Sequence, residues 1–137
     1  MKEATPYLIF NGNCREAMTF YQTCLGGELS VTTFGESGQK SAPEAKDRVI
    51  HARLANGSMV LMASDNMPDM GYHQGNNVWT TLECDSDEQV DGLYAAMNAG
   101  GKDSMAPNNT FWGAYFAMLT DRFGFHWMLN HTKQSQG

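Results

Sequence analysis

The sequence predicts an α+β fold built from two repeated βαβββ modules, and three observations support it. Two hairpin signals occur: residues 49–54 and 59–63 flank Asn56-Gly57, and residues 114–120 and 125–130 flank a turn. Each hairpin follows a strand pattern and then a helix pattern. Both helix patterns end at paired glycines, which begin 74 residues apart, at Gly26 and Gly100. We therefore expect a single domain, residues 1–137, whose modules span about 5–65 and 77–131.

The elements of the first module follow from periodicity and turn signals. Asn13 and Glu16 have the spacing of a capping box, so a helix should begin after Asn13. Apolar side chains then recur at helical spacing on one stripe: Ala17, Phe20, Tyr21, Cys24 and Leu25. Composition predicts strands and irregular loops around this helix: strands at 6–10 and 28–34, loops at 35–47 and 64–77. We expect the loop at 35–47 to be mobile.

The second module repeats this order of elements. Residues 78–84 have a strand pattern, and either Ser86 or Asp85 can cap the next helix through Gln89 or Glu88. The apolar stripe of that helix has four members: Val90, Leu93, Tyr94 and Met97. A short strand at 102–106 and a loop at 107–112 should precede the second hairpin, whose turn the Asp121 carboxylate can cap.

Composition and charge exclude several function classes. The net charge is −6 with 18% charged residues, and no basic stripe is present, so nucleic acid is not an expected partner. Three cysteines without CxxC spacing argue against a disulfide framework or a zinc ribbon. The N-terminal segment has no apolar run long enough for a signal peptide, and no stretch approaches the length of a membrane span. We expect a cytoplasmic protein without a membrane partner.

Five motifs carry a family resemblance: PYLIFNGNCREAMTFY, HARL, LMASDNMP, TFWG and DRFGFHWMLN. Together they resemble the PhnB-like family of the vicinal oxygen chelate superfamily, which includes glyoxalases, bleomycin-resistance proteins and dioxygenases. The resemblance implies two βαβββ modules, with curved mixed sheets forming a cupped cavity, and a dimer. The methyltransferase label given to some such proteins is unsupported here. Its cofactor loop lies between a strand and a helix, whereas the paired glycines of this chain follow helices.

The resemblance also implies a divalent-metal site with ligands from the first and last strands of each module. The corresponding residues of this chain are Pro6, Met62, Trp79 and Met128, or, after a slip of one residue, Tyr7, Leu61, Val78 and Trp127. None of these side chains is a ligand for a hard cation. We therefore expect no metal and no cofactor. The alternative is a rearranged divalent-metal site that combines His51 and His126 with Asp65 or Glu83.

The first hairpin predicts which side chains point away from the helix. With a two-residue Asn56-Gly57 turn, His51 lies opposite Met62, and the two share the cavity face. Arg53 shares that face by alternation, while Leu54 packs under the helix.

The same counting in the second module predicts a second set of cavity residues: Trp79, Thr81, His126 and Met128. Trp112 is a loop aromatic that either walls the cavity or packs in the core. The predicted ligand contacts are therefore His51, Arg53, Met62, Trp79, Thr81, Trp112, His126 and Met128.

These residues favour a homodimeric protein that binds a small, partly apolar molecule. The alternative is a glyoxalase-type enzyme that carries out isomerisation, lyase or proton-transfer chemistry, with His51 as the catalytic base, because histidine exchanges protons near neutral pH. A structural reading is also open, in which His51 bonds a backbone carbonyl and His126 is simply solvated. An acidic protein-interaction module has only the net charge in its favour.

Overall fold

The structure, a computed structural model, describes residues 1–38, 43–67 and 69–133 of the chain. Its elements in order are β1 (Tyr7–Phe10), α1 (Cys14–Leu25), β2 (Glu28–Thr33), α2 (Phe34–Ser37), β3 (Val49–Asn56), β4 (Met59–Asp65), β5 (Thr80–Glu83), α3 (Asp87–Met97), β6 (Lys102–Asn109), β7 (Ala114–Thr120) and β8 (His126–Thr132). The strands form two four-stranded sheets, sheet 1 in the order β1-β4-β3-β2 and sheet 2 in the order β5-β8-β7-β6. The chain divides into two compact units, Met1–His73 and Gln74–Gly137. The predicted α+β fold of two βαβββ modules is confirmed, and the cupped cavity stays a prediction.

Sheet 1 is mixed, because β1 runs parallel to β4 while the other neighbours are antiparallel. Helix α1 buries Ala17, Met18 and Tyr21 completely. The buried side chains of the sheet alternate along its strands, as expected for one covered face: Leu8, Phe10, Ala52, Leu54, Leu61 and Ala63. Each fully buried large side chain contributes roughly 1.5–3 kcal/mol through the hydrophobic effect. The core of this unit therefore lies between α1 and one face of sheet 1.

The N-terminus of α1 is capped by a distant residue. Asn13 occupies the cap position but makes no side-chain cap hydrogen bond, so the predicted capping box is wrong. Instead Asp65 Oδ1 accepts the backbone N–H groups of Gly12 at 2.9 Å and Cys14 at 3.0 Å, and its Oδ2 accepts that of Val49 at 2.9 Å. The buried carboxylate satisfies donors that the helix itself cannot, which makes the local cap unnecessary.

The first hairpin has a different register from the predicted one. Asn56 pairs with Met59 and Arg53 with Met62, so the loop is Gly57-Ser58 and the predicted Asn56-Gly57 turn is wrong. Asn56 stays in the strand because its Nδ2 donates to the Leu25 carbonyl at 2.9 Å. Gly57 has φ +60°, which suits the first loop position of a type II′ turn. The shift is two residues, so every side chain keeps its predicted face.

Of the two segments predicted as irregular loops, the first contains helical structure and the second is largely irregular in the described residues. In the first, the capping box formed by Thr33 and Glu36 starts the short helix α2, and Pro43–Ala45 forms one 3₁₀ turn, so the prediction of a structureless loop is wrong there. Residues 39–42 of that predicted mobile loop lie outside the described residues. In the second, Asp65 still belongs to β4, and the described residues from 66 to 79 contain no helix or strand.

Sheet 2 is also mixed, with β5 parallel to β8. Ser86 is confirmed as the cap of α3, since its Oγ accepts the N–H of Gln89 at 3.0 Å. One face of the sheet and the inner side of α3 are fully buried: Val90, Met97, Ala117, Leu119, Trp127 and Leu129. Strand β5 is shorter than the predicted 78–84, while β6 is longer than 102–106 because it extends to Asn109. The loop predicted at 107–112 therefore begins as strand.

Asp121 organises the turn between β7 and β8, as predicted. Its Oδ1 accepts the backbone N–H groups of Phe123 at 2.8 Å and Phe125 at 3.0 Å. Its Oδ2 accepts the indole N–H of the buried Trp127 at 2.8 Å, a contact that no local pattern predicts. The carboxylate is 2% exposed, so it joins the turn to the core.

The paired glycines have the same structural role in both units. A Cβ at Gly27 would collide with the Ala55 carbonyl oxygen, and one at Gly101 would collide with that of Thr120. Each glycine thus lets the chain leave a helix in close contact with a neighbouring strand. The described residues contain no helix long and apolar enough to cross a membrane.

Candidate functional site

The face of sheet 1 opposite α1, called open face 1, carries the predicted residues of the first unit. Tyr7 pairs with Met62, and Met62 pairs with Arg53, so these three side chains form one row. His51 lies two residues before Arg53 on the same strand and is exposed. Tyr7 Oη is 3.5 Å from His51 Nδ1, at the limit of a hydrogen bond. The structure therefore brings His51, Arg53 and Met62 to one face, with Tyr7 beside them.

The face of sheet 2 opposite α3, called open face 2, carries most of the predicted residues of the second unit. Thr81 pairs with Met128, and Met128 pairs with Met118. The Trp79 indole stacks on the His126 ring, with the ring centroids 4.6 Å apart and the planes 26° apart. These residues form a surface of aromatic, thioether and hydroxyl groups.

Trp112 packs against this face from the turn between β6 and β7. Its ring meets that of Phe116 edge-on at 5.9 Å, and Phe116 pairs with Asn130 on open face 2. Trp112 is 47% exposed, and its neighbour Phe111 is 96% exposed. Of the two predicted environments for Trp112, packing in the core is therefore wrong.

The carboxylates proposed for a rearranged metal site are already engaged in holding the fold. Asp65 accepts three backbone N–H groups, as described above. Glu83 accepts the Asn130 side-chain amide at 2.8 Å through Oε1 and the Thr132 backbone N–H at 3.1 Å through Oε2. Within residues 1–38, 43–67 and 69–133, no three His, Cys, Asp or Glu side chains form a group that could hold a metal ion.

The positions that the resemblance assigns to metal ligands do not fit a hard cation. On open face 1 they correspond to the paired Tyr7 and Met62. On open face 2 they correspond to Trp79, whose indole N–H donates to the Asn76 carbonyl at 3.1 Å, and to Met128. This set offers one phenol oxygen, two thioethers and an indole but no imidazole or carboxylate, so it does not suit the divalent-metal site that the resemblance implies.

Two of the three cysteines are unsuited to nucleophilic chemistry. Cys14 is fully buried at the start of α1, and burial, with the nearby Asp65 carboxylate, raises the pKa of its thiol to about 12. Burial also raises the pKa of the Cys84 thiol. The position of Cys14 at a helix N-terminus would by itself lower its pKa, so here desolvation outweighs the helix dipole.

A separate polar cluster joins the end of β8 to α3 on the covered side of sheet 2. Asp87 accepts a hydrogen bond from His131 Nδ1 at 2.9 Å and forms an ion pair with Lys133 Nζ at 2.7 Å. Hydrogen bonds from Lys133 and then His131 lower the pKa of the Asp87 carboxyl. Tyr115 donates to Asp91 at 2.7 Å, which raises the pKa of the phenol because ionisation would remove that bond. We assign this cluster to the stability of the fold.

Sequence reasoning missed several residues of the open faces. Tyr7 was considered only as an alternative metal-ligand position, and Phe116 and Met118 are assigned to open face 2 by their strand pairs. Thr120 was missed as well, although it pairs with His126, and the hairpin counting that places His126 could have found it.

The chain is similar to known proteins in both sequence and fold. The sequence model of the Glyoxalase/Bleomycin resistance protein/Dioxygenase superfamily matches residues 4–129. Protein YjdN of Escherichia coli strain K12 is 36% identical, and the match covers 95% of each chain. The crystal structure of PA1353 from Pseudomonas aeruginosa has 43% identity and a TM-score of 0.88, covering 98% of this chain and 100% of that one. The PhnB protein of Bacillus cereus has a TM-score of 0.76 at 23% identity, covering 95% and 99%, and shows the fold alone.

Proposed function

Because the chain belongs to the glyoxalase/bleomycin resistance protein/dioxygenase superfamily, we propose that it binds a small, partly apolar molecule through its open sheet faces. The observation that carries the proposal is the composition of open face 2. A sheet with one face covered by a helix ordinarily has a polar second face. Here the second face carries an indole, a phenyl ring and two thioethers, from Trp79, Phe116, Met118 and Met128.

Taken separately, the side chains of each face suit recognition of a compact molecule. Met62 and Met128 are unbranched and polarisable, so they adapt to an irregular apolar shape. Trp79 and Trp112 offer flat apolar contacts, and hydroxyl, imidazole and guanidinium groups can fix orientation. We propose these ligand contacts: His51, Arg53, Met62, Trp79, Thr81, Trp112, His126 and Met128. Binding needs no metal in this proposal, since the positions implied for ligands hold no imidazole or carboxylate.

A second candidate function is proton-transfer catalysis with His51 as the base. It is favoured by one observation: the His51 imidazole is exposed, and the Tyr7 hydroxyl is 3.5 Å from its Nδ1. A histidine beside a phenol can take a proton from a carbon acid next to a carbonyl group. Incubation with simple ketones and aldehydes in deuterated water tests it. Deuterium exchange that disappears in His51→Gln would support this candidate, and exchange no faster than buffer alone would reject it.

We also propose that the protein is a homodimer. Several large apolar side chains are exposed in the single chain: Tyr7, Ile9, Val78, Met105, Phe111 and Trp112. A second copy that covers part of this surface is the simplest way to remove it from water. Light scattering at micromolar concentration should give twice the chain mass, and a monomer would contradict the proposal.

The binding proposal is tested by a screen that reports on methionine methyl groups. The chain has ten methionines, and ¹³C-methyl labelling gives each its own signal. In a library of small, partly apolar compounds, those that bind open face 1 should shift the signal of Met62, and those that bind open face 2 should shift the signals of Met118 and Met128. Met18 and Met97, fully buried on the helix sides, provide internal controls that should not move. Hits that shift all five signals alike, or no hits at all, would reject the proposal.

A further inference from the structure

We propose that open face 2 contains a subsite for the carboxylate of a flat ligand, with the Nε2–H of His126 as its hydrogen-bond donor. This inference rests on the proposed small-molecule function and specifies the ligand chemistry on one of the two faces. It is built on four residues near the turn between β7 and β8: Lys102, Thr120, His126 and Trp79.

The His126 ring is held in place by two contacts on different sides. Its Nδ1 is 2.9 Å from the Thr120 Oγ1, on the neighbouring strand. Its face stacks on the Trp79 indole at a centroid distance of 4.6 Å. Trp79 is itself oriented, because its indole N–H donates to the Asn76 carbonyl at 3.1 Å. The imidazole is therefore fixed before any ligand arrives.

The hydrogen bond to Thr120 determines the tautomer of the ring. Thr120 is 8% exposed, and a buried hydroxyl hydrogen needs an acceptor. Among the described residues, His126 Nδ1 is the sole hydrogen-bond partner of Thr120 Oγ1. The hydroxyl therefore donates to Nδ1, and a neutral ring carries its hydrogen on Nε2. No other atom of the described residues hydrogen-bonds to this ring, so Nε2–H remains a donor for a ligand.

Charge makes a carboxylate the favoured acceptor. Lys102 pairs with Thr120, so its side chain starts in the same row of the sheet as the His126 ring. Among the side chains that the structure describes, the carboxylate on open face 2 is that of Glu83, four residues beyond Trp79 and about 13 Å away along an extended strand. Both oxygens of Glu83 are engaged with Asn130 and Thr132. A ligand carboxylate at His126 thus has a donor in the ring and, two strands away on the same face, a lysine side chain of opposite charge.

The remainder of the ligand is specified by the groups next to His126. The Trp79 indole is a flat apolar surface, and Met128 follows His126 by two residues on the same face. Met118 pairs with Met128 and extends the thioether surface. A planar aromatic body can contact these groups while its carboxylate reaches Nε2–H. The predicted ligand class is therefore an aromatic carboxylate.

The tautomer is tested first, without a ligand. Long-range ¹H–¹⁵N spectra of ¹⁵N-histidine-labelled protein at pH 8, where histidine side chains are ordinarily neutral, distinguish Nε2–H from Nδ1–H. We expect the Nε2–H form for His126. Thr120→Val should change the nitrogen shifts by removing the hydroxyl, and Thr120→Ser should restore them. A predominant Nδ1–H form in the unaltered protein would overturn the inference.

Binding is tested with two probes that share one flat body and differ in the attached group. We expect 2-naphthoate to shift the His126 Nε2 signal and to bind about tenfold more tightly than 2-naphthylmethylammonium, as a charge-assisted hydrogen bond provides. His126→Phe keeps an aromatic ring beside Trp79 but removes the donor. It should reduce the preference for naphthoate by the share that the hydrogen bond contributes, while the share due to the Lys102 charge remains.

The outcomes separate this inference from the proposed function. If both probes bind equally, or if His126→Phe leaves the preference for naphthoate intact, the carboxylate subsite is rejected while the binding function stands. If neither probe shifts any signal from His126, Trp79 or Met128, the subsite is rejected and the methionine screen alone carries the proposed function. If that screen also fails, both are rejected.

Discussion

His51 and Leu54 lie on the same strand, β3, and are proposed to have different roles, one in ligand binding and one in the core. Comparing His51→Ala with Leu54→Ala in stability and in ligand affinity tests this difference. The His51 side chain is exposed, and its described contacts are the Tyr7 hydroxyl at 3.5 Å and the Tyr7 ring at 6.0 Å. Substitutions at such positions usually change the free energy of unfolding by about 0.5 kcal/mol or less. Leu54 is fully buried, and a Leu→Ala change of this kind costs about 2–5 kcal/mol.

The His51 variant, unlike the Leu54 variant, removes a proposed ligand contact. If His51 bonds a ligand, His51→Ala weakens binding by about 1–3 kcal/mol, or roughly 5- to 150-fold in the dissociation constant. Urea unfolding followed by circular dichroism gives the stabilities, and titration with a hit that shifts the Met62 signal gives the affinities. A His51→Ala protein that unfolds as easily as Leu54→Ala would show that the histidine is structural. An unchanged affinity would remove His51 from the list of ligand contacts.

Three further predictions follow from the described contacts. Asp65→Ala should destabilise the fold by at least about 1–3 kcal/mol in urea unfolding, the usual cost of leaving a buried N–H donor unsatisfied, and a loss below about 1 kcal/mol would contradict its capping role. Folding lowers the pKa of Asp87 from 3.8, so the ionised carboxylate stabilises the fold above pH 3.8, and this stabilisation is lost as the pH falls through the lower pKa of the folded state. The difference in unfolding free energy between the unaltered protein and Asp87→Asn should therefore shrink below pH 3.8. A difference that stays constant from pH 7 to about pH 3 would contradict this. Elemental analysis after dialysis should find no stoichiometric zinc, nickel, manganese or iron, and about one ion per chain would reject the metal-free site.

The sequence was sufficient to predict the elements whose signals are local. The apolar stripes predicted α1 and α3, and the Ser86 cap and the Asp121 turn depend on residues at most four positions apart. The α1 cap could not be predicted, because its acceptor, Asp65, is 51 residues from Cys14 and reaches it only through the fold.

The register of the first hairpin explains why the face of His51 and Met62 was predicted correctly although their pairing was not. The bond from Asn56 to the Leu25 carbonyl spans 31 residues and moves the turn by one position, which shifts the strand pairs by two. A shift of two residues preserves alternation, so His51 and Met62 keep their predicted face although they are not partners. The Thr120–His126 bond, the Tyr7–His51 contact and the Trp79 stack depend on side-chain geometry that alternation does not specify.

The central claim is that the open sheet faces bind a small molecule without a metal ion. The most direct test is isothermal titration of a screening hit that shifts Met128, into unaltered protein and into Met128→Glu, both in EDTA. Because Met128 is half-buried on open face 2, the account predicts that Met128→Glu weakens binding at least about tenfold, since a carboxylate loses apolar contact and resists desolvation. EDTA should leave binding to the unaltered protein unchanged. Equal affinity for both proteins, or binding that requires an added divalent ion, would contradict the account.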